Sequence, residues 1–242
     1  MTVRGLPVVA IDGPAGAGKS TVTRRLAQRL GYWVLDTGAL YRSVAWAAHR
    51  DGVDFSDEPR LTAIAEALAR RGAIEFERRG NDAARVLVEG VDVTEAIRSE
   101  TCSDGASRIS ALPGVRRALL GVQRQIASRG GVVVEGRDIG TVVLPDAEAK
   151  FFLTADAEVR ATRRLEELRA RGEAADFQTV LDDVRRRDRR DESRAVAPLT
   201  RAADAQVVDS SRMSIDEVVE AMFSRVSQVA DGLRGDRGSN AS

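Results

Sequence analysis

The sequence predicts an α/β fold, a five-stranded parallel sheet with helices on both faces and an antiparallel β insert. Three observations predict it. Short apolar runs alternate with segments of helical apolar spacing, the pattern of a parallel sheet covered on both faces. A glycine-rich turn joins the first apolar run to the first helical segment. Between 73 and 93 the pattern changes to short runs around a polar turn, as in a hairpin.

PVVAID (7–12) is apolar and ends in turn chemistry, as a buried parallel strand does. Residues 13–18 form the glycine-rich loop. From Lys19 to Leu30, Val22, Leu26, Ala27 and Leu30 share a helical face, and Gly31 stops the helix. WVLD (33–36) is the second strand. Residues 38–50 are helical, with Leu40, Val44 and Ala47 on one side, and 57–71 form another helix. AIEFE (73–77), a turn at RGND (79–82) and RVLVEG (85–90) make the hairpin, with VDV (91–93) as a further short strand. Helices resume over 94–129 and break near Pro113. GVVVEG (131–136) and KFFLTA (150–155) are the third and fourth main strands. A helix covers about 156–171, and 172–195 is helical and densely charged. AQVVDSS (205–211) is the fifth strand. Ser214 caps a last helix with Ile215, Val218, Val219 and Met222 inward. The polar tail 231–242 reads as disordered.

The bulk numbers exclude several classes. The 242 residues carry no formal net charge, and only 4% are aromatic. A nucleic-acid-binding module, which needs a basic surface and stacking platforms, is disfavoured. No run approaches the length of a membrane span, and the N-terminal apolar run is too short for a signal peptide. One cysteine, Cys102, allows no internal disulfide. The expectation is a cytoplasmic protein, and a monomer because no apolar stripe is left over. His49 and the lone cysteine suggest no structural zinc site. Of 37 basic residues only Lys19 and Lys150 are lysine. In so arginine-rich a chain, a retained lysine points to a chemical requirement.

GPAGAGKST (13–21) fits G-x-x-x-x-G-K-[ST], with a strand before it and a helix after it. Gly13, Gly16 and Gly18 let the backbone of Gly13, Pro14, Ala15, Gly16, Ala17 and Gly18 turn, with every N–H except at Pro14, which has none, facing inward onto phosphate. Helix amides from Lys19, Ser20 and Thr21 add to that cradle. Lys19 suits the β- and γ-phosphates of ATP, and the Ser20 hydroxyl suits Mg²⁺. Glu135, at the end of the third strand, is placed to hold the metal through water or is an ordinary strand-end charge. Such a loop binds a nucleotide without naming the reaction.

Two further loops sit at C-terminal strand ends, where open α/β sheets bind ligands. In LDTGALYR (35–42), Thr37 and the helix amides suit a phosphate or sugar. Arg42 suits a phosphate or a surface ion pair equally. In GRDIGT (136–141), Arg137 suits phosphate and Asp138 can accept from an exocyclic amine. An internal Arg137–Asp138 pair is the alternative. RRRDRRDESRAVAPL (185–199) places six arginines and three acids in its first ten residues. Arg187, Asp191 and Arg194 have the spacing of one helix face. Arg185, Arg186, Arg189 and Arg190 read as solvated charges.

These motifs, with the hairpin insert and ADAQVVDSS (203–211), resemble the bacterial cytidylate kinase family over about 7–226. The family is similar to adenylate kinases: a P-loop kinase core, a region that binds a nucleoside monophosphate and a mobile lid. The resemblance implies a kinase unit over 1–226. Its core would be about 5–40, 112–171 and 200–226, its monophosphate-binding region about 41–111 and its lid about 172–199. It implies transfer of the γ-phosphoryl of ATP to CMP or dCMP with Mg²⁺, and no nucleic-acid or membrane partner. Gly13 to Thr21 would hold ATP. Arg42, Arg137 and Arg194 would hold the acceptor phosphate. Ser107, Arg116 and Asp138 would read cytosine, and Arg187 and Asp191 would meet the ribose. Lys19, Arg137, Arg187 and Arg194 would carry the catalytic charge. Ala15 and Thr37 stand where the family often has serine. Arg160, Arg163 and Arg164 either contact ATP phosphates or lie on a solvated face. A kinase acting on UMP, AMP or shikimate is the competing reading, and Asp138 with Arg116 discriminates against it.

Overall fold

The structure is a computed structural model that describes residues 6–77 and 84–239. It divides into two compact units, one built from residues up to Trp33 and from Gly130 onward, the other from Val34–Arg129.

The first unit carries the main sheet. Its strands are β1 (Val8–Asp12), β2 (Trp33–Asp36), where the division falls, β6 (Val132–Gly136), β7 (Ala149–Thr154) and β8 (Gln206–Asp209). The order is β2-β6-β1-β7-β8. β1 pairs in parallel with β6 and β7, bringing Asp12 opposite Gly136 and Phe152, and β7 pairs in parallel with β8. Val9, Ala10, Ile11, Val132, Val133, Val134, Phe151 and Leu153 are buried. Strands buried on both faces need unbroken apolar runs, which is why these elements were readable.

Helix α1 (Lys19–Leu30) ends at Gly31, whose φ of 72° closes the cap onto Ala27 and Gln28 carbonyls. Helices α6 (Ala157–Ala170) and α7 (Phe177–Glu192) pack through Ala161, Leu165, Val180, Leu181 and Val184. Helix α8 (Ile215–Ser239) packs on α1. Ser214 and Glu217 form a reciprocal capping box at its start: Glu217 accepts from the Ser214 amide at 2.8 Å, and Ser214 Oγ accepts from the Glu217 amide at 3.2 Å. The helix continues through 231–239, which the sequence assigns to a disordered tail. The Asp231–Arg234 pair, one turn apart, supports that extension.

The second unit contains α2 (Thr37–Arg50), α3 (Glu58–Arg70), α4 (Glu100–Ile109), α5 (Pro113–Ala127) and a three-stranded sheet in the order β3-β4-β5. The strands are Ile74–Glu77, Arg85–Val88 and Val91–Asp92, all antiparallel as the hairpin pattern predicts. The RGND turn lies outside the described residues. Val115 and Leu119 of α5 join Leu40, Val44, Leu61 and Val88 in one apolar cluster. Helix α5 therefore groups with this unit, whereas the sequence assigns 112–129 to the core. Periodicity shows that a helix has an apolar face, not which cluster receives it.

Candidate functional site

The phosphate loop follows β1 and leads into α1. Gly13, Gly16 and Gly18 have φ of 154°, 77° and 89°. A Cβ on Gly13 would lie 2.0 Å from the Leu153 carbonyl oxygen, so only glycine lets the loop leave the sheet there. Lys19 Nζ donates to the carbonyls of Gly13 at 2.8 Å and Pro14 at 2.7 Å. Burial, and then the charge of Arg137, push its ammonium down to about 7, against the opposing pull of Glu135, Asp191 and Asp12. Ser20 Oγ donates to Glu135 Oε2 at 3.1 Å. The hydroxyl and carboxylate singled out for a metal are thus adjacent, and Glu135 is buried.

After β6 the chain enters a helical turn over Ile139–Val143, closed by wide bonds from the amides of Val143 to Asp138 and Leu144 to Ile139. Its leading amides, Ile139 and Gly140, both donate to the Asp12 carboxylate at 2.8 Å. Asp138, just before them, is buried. Arg137 Nε donates to Asp191 Oδ2 at 2.8 Å, and Arg194 donates to the other oxygen of Asp191. Burial pushes the Asp191 carboxyl up, but Arg137 and Arg194 outweigh it and hold it below the usual range. Arg137, Asp191 and Arg194 are therefore brought together. Arg194 lies just past the end of α7. Arg187 is half-buried on α7; Arg185, Arg186 and Arg189 are exposed as expected, whereas Arg190, also read as a solvated charge, is half-buried.

Arg160 is buried. It donates to the Ala15 carbonyl at 3.1 Å and forks onto Asp188 at 2.9 and 2.7 Å. This ties α7 to the phosphate loop. Arg163 donates to Ser210, and Arg164 pairs with Glu167.

In the second unit, Asp36 caps α2 by accepting from the Ala39 amide, and it pairs with Arg42 at 2.6 Å. Arg42 Nε is buried with no hydrogen-bond partner among the described residues. Thr37 is buried in the first turn of α2. Arg116, also buried, donates to the Ser110 carbonyl at 3.1 Å and lies over the Tyr41 ring, 5.9 Å from its centroid. Ser107 is half-buried on α4, and its carbonyl accepts from Ser110 Oγ.

Sequence reasoning missed Asp12 and the pairing of Arg160 with Asp188; it names Arg160 only as a phosphate contact or a solvated charge. Asp12 left a signal, an acid closing an otherwise apolar strand beside the phosphate loop. The Arg160–Asp188 pairing spans 28 residues among many arginines and acids, and no sequence signal selects that partner.

The chain matches known proteins over most of its length. The family model described as cytidylate kinase matches residues 9–228. A cytidylate kinase from Pelotomaculum thermopropionicum is 51% identical over 221 residues, covering 91% of this chain and 96% of its own. One from Stutzerimonas stutzeri is 48% identical over 225 residues, covering 93% and 96%. Among solved structures, an uncharacterized protein from Eubacterium ventriosum superposes with a TM-score of 0.53 at 12% identity, covering 93% of this chain and 99% of its own, a likeness of fold alone. The chain belongs to the cytidylate kinase family.

Proposed function

We propose that the protein transfers the γ-phosphoryl group of ATP to CMP or dCMP, giving CDP or dCDP and ADP. The family match over 9–228 carries this reading. The residue roles are part of the proposal.

The backbone of Gly13 to Thr21 holds the ATP phosphates, and Lys19 exchanges the Gly13 and Pro14 carbonyls for β- and γ-oxygens. Arg42, with its unfilled Nε, binds the acceptor phosphate, as do Arg137 and Arg194. Thr37 supports that phosphate with its hydroxyl. Asp138 accepts from the cytosine amine, while Arg116 and Ser107 donate to the ring acceptors. Arg187 and Asp191 meet the ribose. Uracil would set a carbonyl against the Asp138 carboxylate, which disfavours UMP. No general base is required, because the attacking phosphate oxygen is already anionic; positioning and positive charge do the work. Closure of 172–199 excludes water, the competing acceptor.

The residues present fit Mg²⁺. A hydroxyl and a buried carboxylate 3.1 Å apart suit an ion that takes few protein oxygens and keeps waters and phosphates. Ser20, with Glu135 through water, would hold it, and it would neutralise charge on the transferred group. No described helix is long and apolar enough to cross a membrane. We read the protein as a cytoplasmic monomer without a nucleic-acid partner, which size-exclusion chromatography checks for the oligomeric state.

The test is an ADP-release assay with ATP and Mg²⁺, offering CMP, dCMP, UMP, AMP and GMP in turn to wild type and Asp138→Ala. Turnover of CMP and dCMP, lost in the variant, is expected. Equal rates on UMP would keep the kinase and discard the cytosine pocket.

A further inference from the structure

We propose that Asp12 is a positioning residue that pins the Arg137–Asp138 turn to the phosphate loop, so that base discrimination depends on a carboxylate bonded to backbone amides. The inference rests on Asp138 reading cytosine, as proposed above.

Asp12 is the last residue of β1 and immediately precedes Gly13. The β1–β6 pairing ends with Asp12 opposite Gly136. Beyond that point Arg137 and Asp138 follow the end of the β1–β6 register. The Asp12 side chain takes over. Oδ1 accepts from Ile139 and Oδ2 from Gly140, each at 2.8 Å, so both oxygens grip consecutive amides. Asp12 is only 4% exposed, and the grip is correspondingly rigid.

The turn is also held from its other side. A Cβ on Gly140 would meet Lys150 Cδ at 3.2 Å, Asp12 Oδ2 at 3.4 Å and Ala202 Cβ at 3.5 Å. Lys150 Nζ in turn donates to the Pro145 carbonyl and pairs with Asp204 at 2.8 Å. Gly140 is wedged between an acid and a lysine stem, one of only two lysines in the chain.

A carboxylate is the only side chain of this length with two acceptor oxygens and no competing donor. Asparagine would accept one amide and turn an NH₂ towards the other. Burial raises the Asp12 carboxyl to about 6, opposed by the Gly140 and Ile139 amides, so the ionised form is held against a desolvation cost. Asp12 also faces Lys19 electrostatically. A role confined to Lys19 would alter ATP use equally for every acceptor base.

The test compares Asp12→Asn and Gly140→Ala with wild type. Three quantities are read: kcat and KM for CMP and UMP at saturating ATP, KM for ATP, and hydrogen exchange of the 137–143 amides. Expected in Asp12→Asn is a loss of about tenfold in the CMP-over-UMP ratio of kcat/KM, the size of one displaced base contact. It should come mainly through KM for CMP, with faster exchange at 137–143. Gly140→Ala disturbs the same turn with every charge kept and should move the ratio and the exchange in the same direction, even if Asp12→Asn does not fold. Folded variants with an unchanged ratio and unchanged exchange overturn the proposal, as does a loss confined to KM for ATP. A wild type with no preference for cytosine fails the functional reading instead, and exchange at 137–143 alone then decides the role of Asp12.

Discussion

Asp188→Ala removes the counter-ion of a buried arginine. Arg160 is 6% exposed, and all three of its nitrogens donate: Nε to Ala155, Nη1 to Ala15, and both Nη nitrogens to Asp188. The variant leaves the guanidinium with two neutral carbonyls. Breaking a buried ion pair from one side costs about 3–5 kcal/mol. The Asp188 side chain is 17% exposed, so water reaches the vacated side and the lower figure, about 3 kcal/mol, applies. For a chain of this size that lowers Tm by roughly 6–12 °C. Urea unfolding and calorimetry at neutral pH measure it. Glu158→Ala is the control, because the Arg185–Glu158 pair lies at the surface and should contribute under about 1 kcal/mol. KM for ATP should also rise in Asp188→Ala, since the Ala15 carbonyl loses a fixed neighbour. If Asp188→Ala is no more destabilising than Glu158→Ala, α7 is not tied to the phosphate loop through Arg160 and this reasoning is refuted.

Gly13→Ala should cost more than about 3 kcal/mol or abolish soluble expression, because its Cβ would strike the Leu153 carbonyl and its φ of 154° is strained for alanine; thermal melts check this. Lys19→Met should keep the fold by circular dichroism and lower kcat by a factor of about 10²–10³, as loss of a preorganised charge does. Chelation by EDTA should stop turnover, and Ser20→Ala should raise the Mg²⁺ concentration for half-maximal rate about tenfold. For pH, the folded Asp12 carboxyl lies at about 6 and its ordinary value at 3.8. The folded state binds that proton more tightly, so its contribution to stability is greatest below pH 4 and declines as pH rises to about 6, by roughly 3 kcal/mol in all. Asp12→Asn should remove that decline; a wild-type-minus-variant stability difference that stays flat over this window would show that Asp12 is not held against a desolvation cost.

What the chain determined by itself is local. Buried parallel strands need continuous apolar runs, so VVAID, VVVEG and AKFFLT declared themselves, and Gly31, Pro113 and Ser214 marked helix ends by their backbone chemistry. The phosphate loop was equally legible, since its glycines and lysine must be contiguous to cradle phosphate. The hairpin insert announced itself by its change of period. Tertiary structure alone decided which distant charges meet. Arg137 and Arg194 share Asp191; Arg160 takes Asp188; Asp12 reaches past the end of its strand pairing to Ile139 and Gly140. It also decided that α5 joins the second apolar cluster. The physical reason is that an apolar period or a turn residue acts over a few neighbouring positions. A charge in a chain with 37 basic and 37 acidic residues has many equivalent partners until burial leaves it one.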